Sequence, residues 1–249
     1  MSMIRAVSSY SSAGLREAQE DFTWFSAERG IFALADGFGG PESGLQAAKS
    51  ACHSVQRFLE KEAGDLEATL PFILRRDFSL AGNVLFNALI IANREVLALN
   101  QNKSIHEKGG ASLLAGLLDG NLFALANIGC CNSWLFRSGK EVELVVPRSY
   151  ARLVDPFSKS DSSSPFFQTP LSSLGMDEFL EPEITEFRVR SGDWLHLQTD
   201  GLKSDVRRLV LEIQQKKFKV SRSIEEFQAL LKSESPHAED NLLSILVIF

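Results

Sequence analysis

The sequence lacks the features of several large classes of protein. Its 249 residues contain only three cysteines, too few for a disulfide framework, and this scarcity is typical of a reducing compartment. It also lacks a basic excess: 32 acidic and 26 basic residues give a formal charge of −6, which argues against non-specific nucleic-acid binding. The first residues, MSMIRAV, lack the basic and apolar regions of a secretory leader. We therefore expect a cytoplasmic protein that does not bind nucleic acid.

Long uninterrupted apolar runs, repeats and linkers are missing as well. The two most apolar stretches, residues 84–99 and 111–131, are broken by asparagine and charged residues, so neither is expected to span a membrane. The apolar fraction of 44% is enough to build a sizeable core. Because no change of composition divides the chain, we expect a single domain over residues 1–249.

Turn signals and periodicity predict alternating pairs of strands and helices. A β-hairpin is expected between Asp21 and Asp36, followed by a helix that begins at Pro41 and a second helix at about 79–100. Residues 111–146 contain Asp-Gly and Ser-Gly turns between apolar segments, which predict a meander of four strands. The segments ITEFRV, WLHLQT and LLSILVIF predict further strands, with helices at about 206–218 and 224–232 between them. Pairs of strands interspersed with helices indicate an α+β fold with antiparallel sheets.

Acidic residues stand at corresponding ends of these predicted strands. Glu20, Asp21 and Asp36 flank the first hairpin, so all three are expected at one end of it. Asp200 and Asp240 meet in the same way if the strands they flank pair antiparallel. Clustered carboxylates are costly to bury without cations, and all-oxygen ligation favours Mg²⁺ or Mn²⁺ over zinc. Taken singly, each of these acids is also what an ordinary turn or solvated strand end contains, so this alternative stays open at this point.

The order of the motifs resembles the metal-dependent protein phosphatase family, also called protein phosphatase 2C, over nearly the whole chain. The matching segments are, in order, REAQED from Arg16, ALADGFGGPESG, GGAS, LFALANIG, TPLSSLGM with SGDWLHLQTDGL, and EDN before the last strand. The resemblance implies a four-layer sandwich of two antiparallel β-sheets flanked by helix pairs. It also implies a variable flap-like loop at about 150–175, which includes the serine-rich residues 155–170.

The resemblance further implies a site for two ions, Mn²⁺ or Mg²⁺, at one end of the sandwich. Its implied metal ligands are Glu20, Asp36, the backbone carbonyl of Gly37, Asp200 and Asp240. Asp21 corresponds to the acid that holds metal-bound water, and Arg16 corresponds to the arginine that binds phosphate. A guanidinium fork can orient a phosphate for attack by water held between the two ions.

The sequence departs from the family pattern at two places. Cys130 stands in the segment Gly129-Cys130-Cys131-Asn132, where the family usually has Gly-Asp-Ser-Arg, so its third, weaker metal site is expected to be absent or altered. Phe38 occupies a position that often holds histidine, so no side chain there can protonate a leaving group. We expect His53 and His196 to be structural.

Three functions are compatible with these observations. The first is an active phosphatase that hydrolyses phosphoserine and phosphothreonine in proteins, opposes a serine/threonine kinase and acts as a monomer away from membranes. The second is a regulatory or scaffold protein of the same fold with little or no turnover, for which the substitution at Cys130 is the best evidence. The third is a phosphoesterase that acts on small molecules.

Overall fold

A computed structural model of the chain describes residues 3–62, 74–154, 169–202 and 204–249. Its strands are β1 (Ala6–Ser12), β2 (Phe22–Ser26), β3 (Ile31–Phe38), β4 (Gly110–Asp119), β5 (Leu122–Ile128), β6 (Asn132–Arg137), β7 (Lys140–Val145), β8 (Glu183–Arg188), β9 (Trp194–Gln198) and β10 (Leu242–Ile248). Its α-helices are α1 (Pro41–Glu62), α2 (Leu80–Leu99), α3 (Tyr150–Val154), α4 (Ser204–Gln215) and α5 (Val220–Glu234). Most of the serine-rich segment predicted as a loop, residues 155–168, lies outside the described residues.

The strands form two antiparallel sheets of five strands each. Sheet I has the order β2-β3-β4-β5-β8, and sheet II has the order β1-β10-β9-β6-β7. The sheets pack face to face through apolar side chains that include Phe32, Leu114 and Phe123 from sheet I and Leu197 and Ile245 from sheet II. This arrangement confirms the predicted α+β sandwich.

A pair of helices covers the outer face of each sheet. α1 and α2 bury a stripe of small and aliphatic residues, including Ala51, Val55 and Leu85, against sheet I. α4 and α5 cover sheet II with residues such as Val210 and Phe227. The helical spacing of these apolar residues is the signal from which the sequence predicts the four helices.

The predicted meander of four strands over residues 111–146 is wrong in its pairing. β4 pairs with β5 in sheet I, and β6 pairs with β7 in sheet II, but β5 and β6 belong to different sheets. The chain crosses between the sheets at Gly129, whose φ of +92° is unfavourable for residues with a side chain. The sequence analysis also missed β1, a serine-rich edge strand, and the short helix α3.

Among the helices of the described residues, α2 alone is long and apolar enough to meet the length and composition of a membrane span. In the fold, 61% of that apolar window is buried inside the protein. α2 packs against α1 and the outer face of sheet I, which is how a core helix behaves. Its N-terminus is capped by Ser79, whose hydroxyl accepts a hydrogen bond from the backbone of Gly82.

Candidate metal centre

The first pair of acids is brought together by the register of the hairpin in sheet I. Phe22 in β2 lies opposite Ala35 in β3. Asp21 immediately precedes Phe22 and Asp36 immediately follows Ala35, so the next position along the ladder places the two acids side by side. The structure therefore gathers both at the end of sheet I that the sequence predicts.

The second pair of acids comes from sheet II. β9 and β10 pair antiparallel with Gln198 opposite Ser244, which places Asp200, after β9, close to Asp240, before β10. Asp36, Asp200 and Asp240 line one cleft of about 1040 Å³ together with Glu20. Each sheet thus contributes acids to the same end of the sandwich.

A hydrogen bond through Thr199 joins the two sheets directly beneath this cleft. The Thr199 hydroxyl donates to Asp21 Oδ2 over 2.9 Å and accepts from the backbone N–H of Leu243 over 3.0 Å. Asp21 is 4% exposed and does not line the cleft itself. This position below the cleft floor is suited to orienting a polar group in the cleft. The sequence analysis assigned no role to Thr199, because its contact with a residue 178 positions away has no local signal.

Burial and mutual repulsion make the charged form of these acids costly. Burial raises the pKa of Asp21 to about 8, with a further contribution from the charge of Asp200. Burial and the charge of Asp240 raise the pKa of Asp200 to about 7. The pKa of Asp36 also rises well above its usual range, because the carboxyl is buried and faces Asp200 and Asp21. A nearby cation would favour the ionised forms of all three.

Two buried carboxylate oxygens in this cluster, Oδ1 of Asp21 and Oε2 of Glu20, receive no hydrogen bond from an N–H or hydroxyl group, and buried acceptors of this kind are uncommon. The carboxyls of Asp21 and Asp36 can pair with each other only when one of them is protonated. Within the described ranges, no three side chains of His, Cys, Asp or Glu already enclose an ion position. Hard dications such as Mg²⁺ usually keep several waters and take only one or two carboxylates each, so an open, all-oxygen arrangement fits them. The donor set present here therefore suits a hard dication and not zinc.

Glycines allow Glu20 and the backbone of Gly37 to approach each other. A side chain at Gly44, in the first turns of α1, would overlap Glu20 Oε2. A side chain at Gly37 would overlap the carbonyl oxygen of Gly44 and lie 2.7 Å from that of Glu20. Burial raises the pKa of Glu20, and the charge of Arg16 opposes this effect. The implied ligand Gly37 thus lies in the same packed corner as Glu20.

Asn241 holds the segment that carries Glu20. Its Oδ1 accepts from the backbone N–H of Glu20 over 2.6 Å, and its Nδ2 donates to the carbonyl oxygens of Ala13 and Ala18 over 3.1 and 2.8 Å. Its own backbone N–H donates to Asp240 Oδ1 over 2.8 Å. Asn241 belongs to the motif Glu239-Asp240-Asn241, which gives no sign of this role in the sequence.

Arg16 lies at the rim of the cleft and is paired with an acid. Its Nη2 donates to Asp240 Oδ2 over 2.8 Å, and the Arg16 side chain is 56% exposed. The hydrogen bond and the charge of Asp240 raise the pKa of Arg16. The structure thus places the predicted phosphate-binding arginine beside the predicted metal ligands.

Cys130 lies next to the same acids but is buried. It is 1% exposed, and its backbone N–H donates to the hydroxyl of Ser112, the residue opposite Asp36 in β4. Burial and the charges of Asp200 and Asp36 raise the pKa of its thiol, so the uncharged form is favoured. The position that the family resemblance links to a third ion thus holds a neutral group.

Phe38 lines the cleft, whereas His53 and His196 lie outside it. His196 is fully buried in β9, its Nε2 lies 2.6 Å from the Ser244 hydroxyl, and burial lowers its pKa to about 3. His53, in α1, packs edge-on against the ring of Phe22 in β2. These contacts are structural.

The sequence profile of the family described as protein phosphatase 2C matches residues 16–246. The chain belongs to this family. The matched residues include all the acids described above, all of sheet I, and sheet II except β1 and the end of β10. Metal binding is a trait of the family, and its curated relatives are protein phosphatases.

Two curated relatives of this protein phosphatase 2C member are informative. Serine/threonine protein phosphatase PstP of Mycobacterium tuberculosis is 28% identical over 201 residues, which is 79% of this chain and 36% of PstP. Probable protein phosphatase 2C 2 of Oryza sativa subsp. japonica is 31% identical over 121 residues, which is 47% of this chain and 29% of that protein. The match thus spans about a third of the length of these relatives.

Solved structures share the fold over almost the entire chain. The M. tuberculosis PstP phosphatase superposes with a TM-score of 0.74 at 24% identity, covering 98% of both chains. MsPP of Mycobacterium smegmatis, solved with cacodylate, gives a TM-score of 0.75 at 18% identity and covers 99% of both chains. The PstP catalytic domain with two manganese ions gives 0.73 at 24% identity. These likenesses confirm the four-layer α+β sandwich.

Proposed function

We propose that this protein hydrolyses phosphoserine and phosphothreonine in proteins with the help of two Mn²⁺ or Mg²⁺ ions. The observation that carries the proposal is the convergence of acids from both sheets on one cleft, with unpartnered oxygens on Glu20 and Asp21 and with Arg16 at the rim. When bound, a pair of dications supplies an activated water and stabilises the oxygens of a phosphoryl displacement.

Each residue of the centre has a distinct part in this proposal. Asp36 and the Gly37 carbonyl would hold the ions from sheet I, Asp200 and Asp240 would hold them from sheet II, and Glu20 would complete the set. Asp21 is held by Thr199 below the cleft, and its Oδ1, which receives no hydrogen bond from the protein, would orient a water there. Arg16 binds the phosphate through its exposed guanidinium, which has donors left beyond the one given to Asp240. Phosphoserine and phosphothreonine are proposed as the substrate class because the relative PstP is a serine/threonine protein phosphatase.

Hydrolysis of a phosphothreonine peptide tests the proposal. We expect phosphate release that requires Mn²⁺ or Mg²⁺ and falls by about a hundredfold or more in Asp36→Asn and Asp200→Asn, because each loses a charge at the centre. Asp119→Asn replaces an exposed acid, the last residue of β4, and is the matched control that should retain full activity. A variant such as Asp36→Asn that keeps wild-type activity would contradict the proposal.

A scaffold function is the second candidate, and the neutral Cys130 favours it. The variant Cys130→Asp distinguishes the phosphatase function from the scaffold function. It places a carboxylate beside Asp36 and Asp200, where the family usually has one. A large gain in turnover would mean that the missing third site limits catalysis. Metal binding measured by calorimetry without any turnover, in both the native protein and Cys130→Asp, would favour the scaffold.

We further propose that the protein is cytoplasmic and monomeric and opposes a serine/threonine kinase. Cys52, Cys130 and Cys131 are buried and are not joined in disulfides, which is consistent with a reducing compartment. Cell fractionation and sedimentation velocity test location and oligomeric state. Phosphoproteomics of cells that lack the protein tests whether its targets are sites of one kinase.

A further inference from the structure

An apolar wall occupies the same cleft as the acids. We use this name for the side chains of Phe38, Tyr150, Leu171, Met176 and Phe179, all of which line the cleft. Phe179 is 88% exposed, and Tyr150 and Met176 are each 46% exposed. Large apolar side chains grouped on a concave surface commonly mark a binding site. Neither the metal centre nor the hydrolysis step uses them.

The segment carrying Met176 and Phe179 is fastened to the fold. Asn93, buried in α2, accepts from the backbone N–H of Gly175 and donates to the carbonyl of Asp177, both over 2.8 Å. Asn100 donates to the Gly175 carbonyl over 3.0 Å, and the Phe179 N–H donates to Asp177 Oδ1 over 2.9 Å. The segment is therefore held in a fixed conformation that exposes its apolar side chains.

The other side of the wall is fastened in a similar way. The Tyr150 N–H donates to the carbonyl of Thr169 over 3.1 Å, and the Leu171 N–H donates to the carbonyl of Arg148 over 2.9 Å. These bonds form a short antiparallel pairing that holds both wall residues beside the cleft. A preformed surface loses little conformational entropy when a ligand binds to it.

Phe38 makes the wall continuous with the metal centre. It follows Asp36 and Gly37 at the end of β3. A side chain at Gly110 would overlap the Phe38 ring and lie 2.9 Å from Met176 Cε, so both groups lie over this glycine. The apolar wall thus begins at Phe38, two residues after Asp36, which is one of the proposed metal ligands.

We infer that the apolar wall binds a large apolar side chain of the substrate polypeptide, close in sequence to its phosphorylated residue. This inference rests on the proposed function and names the class of phosphoprotein segment that the site favours. The cleft of about 1040 Å³ is far larger than a phosphorylated side chain, so the neighbouring residues of a substrate must lie in it. Asp177, which lines the cleft two residues before Phe179 and is not one of the proposed ion ligands, disfavours acidic neighbours at the wall.

A series of phosphothreonine peptides tests this inference. In a background of glycine and alanine, one phenylalanine is placed in turn at each position on either side of the phosphothreonine. We expect it to raise kcat/KM by about tenfold or more in at least one position, as burial of a large apolar side chain predicts. Glutamate at the same position should give no gain.

Variants of the apolar wall test whether its residues cause the preference for phenylalanine in the peptide. Phe179→Ser and Met176→Ser should remove most of the gain from phenylalanine while leaving hydrolysis of the glycine and alanine peptide unchanged. Val142→Ser replaces another exposed apolar residue, 50% exposed on β7 and outside the cleft, and should keep the full preference.

The outcomes separate this inference from the proposed function. Failure to hydrolyse any phosphopeptide would contradict the proposed function. Hydrolysis at equal kcat/KM with and without phenylalanine, or a preference that persists in Phe179→Ser and Met176→Ser, would overturn the inference alone. A dimer in sedimentation velocity that Phe179→Ser dissociates would show that a second copy covers the wall, and would also overturn it.

Discussion

Asn241 carries no charge, yet its amide joins three parts of the chain beside the candidate metal centre. It bonds to the Glu20 backbone and to the carbonyls of Ala13 and Ala18, and it is 6% exposed. These backbone groups are partly buried, so water can replace the hydrogen bonds of the amide only in part if the amide is removed. The segment between residues 13 and 20, which carries Arg16 and Glu20, depends on this side chain for its position.

We expect Asn241→Ala to lower the free energy of unfolding by about 1–3 kcal/mol, because it leaves three partly buried polar groups of the backbone without partners. It should also weaken Mn²⁺ binding, since Glu20 loses its anchor. Urea unfolding in EDTA and calorimetric titration with Mn²⁺ measure the two effects. Asn121→Ala, which removes an exposed bond to Arg188, is the control and should cost less than about 1 kcal/mol. Equal losses in both variants would contradict the anchoring role.

The raised pKa values of Asp21 and Asp200, about 8 and about 7, predict how stability without metal depends on pH. The folded state holds protons that the unfolded state releases above about pH 4. Stability from these groups is therefore fully present below pH 4 and is lost as the pH rises through 7 and 8. In EDTA we expect the free energy of unfolding to fall by roughly 3–4 kcal/mol between pH 6 and pH 8, because each proton that only the folded state holds is worth about 1.4 kcal/mol per pH unit.

Asp21→Asn separates this effect from other titrations. The neutral amide has the shape of the carboxyl but cannot ionise, so the variant should be more stable than the native protein at pH 8 and lose this advantage toward pH 5. Urea unfolding in EDTA at both pH values measures the difference. A native protein whose stability rises from pH 6 to pH 8 would contradict the prediction.

At the scale of single elements, the first turns of α1 are adapted to the metal centre. Gly44 lies within this helix, where glycine costs up to about 1 kcal/mol relative to alanine. Glu20 Oε2 fills the space that a side chain at Gly44 would need. The helix thus gives up intrinsic stability to admit a carboxylate.

We expect Gly44→Ala to change stability in EDTA by less than about 1 kcal/mol, because the gain in helix propensity offsets the displacement of a flexible carboxylate. Mn²⁺ affinity should fall by about tenfold, because Glu20 must move away. Calorimetric titration and urea unfolding test both parts. Gln46→Ala, at an exposed position in the same helix, should alter neither. Unchanged Mn²⁺ affinity in Gly44→Ala would argue against Glu20 as a ligand.

The elements also show what the sequence can predict and where local signals end. Alternating apolar residues and turn pairs predict the hairpin of β2 and β3, and antiparallel pairing alone then brings Asp21 beside Asp36. The sequence gives no signal that the chain passes from sheet I to sheet II at Gly129. β5 and β6 are both mostly buried, so their apolar residues look the same as those of two strands paired in one sheet. β1 is rich in serine and lies at a sheet edge, so its composition resembles a loop.

The positioning residues were missed for a related reason. Thr199 contacts Asp21, and Asn241 contacts Glu20, across 178 and 221 positions of sequence. Only the packing of sheet I against sheet II creates these contacts. The charged residues of the centre could be found from the sequence because clustered acids at strand ends need compensation, whereas a threonine or an asparagine at a strand end is ordinary.

At the scale of the whole molecule, the candidate metal centre is a junction between the two sheets. Asp36 belongs to sheet I, whereas Asp200 and Asp240 flank strands of sheet II. Ions held by acids from both sheets would link two layers that are also joined at this end by the hydrogen bonds from Thr199 to Asp21 and from the Glu20 backbone to Asn241. They would also neutralise the repulsion that raises the pKa of Asp200.

We therefore expect Mn²⁺ to stabilise the entire fold and not only the cleft. At a metal concentration about 100 times the Kd, linkage predicts a gain of about 2.7 kcal/mol for each bound ion, and for a chain of this size about 5–10 °C in Tm per ion. Differential scanning calorimetry in EDTA and in Mn²⁺ measures the shift at pH 7. Asp36→Asn and Asp200→Asn should each lose most of it, because each removes the contribution of one sheet, whereas Asp119→Asn should retain it. A shift that survives in Asp200→Asn would mean that the ions bind to sheet I alone, and the cleft would then lack the paired centre on which the proposed hydrolysis depends.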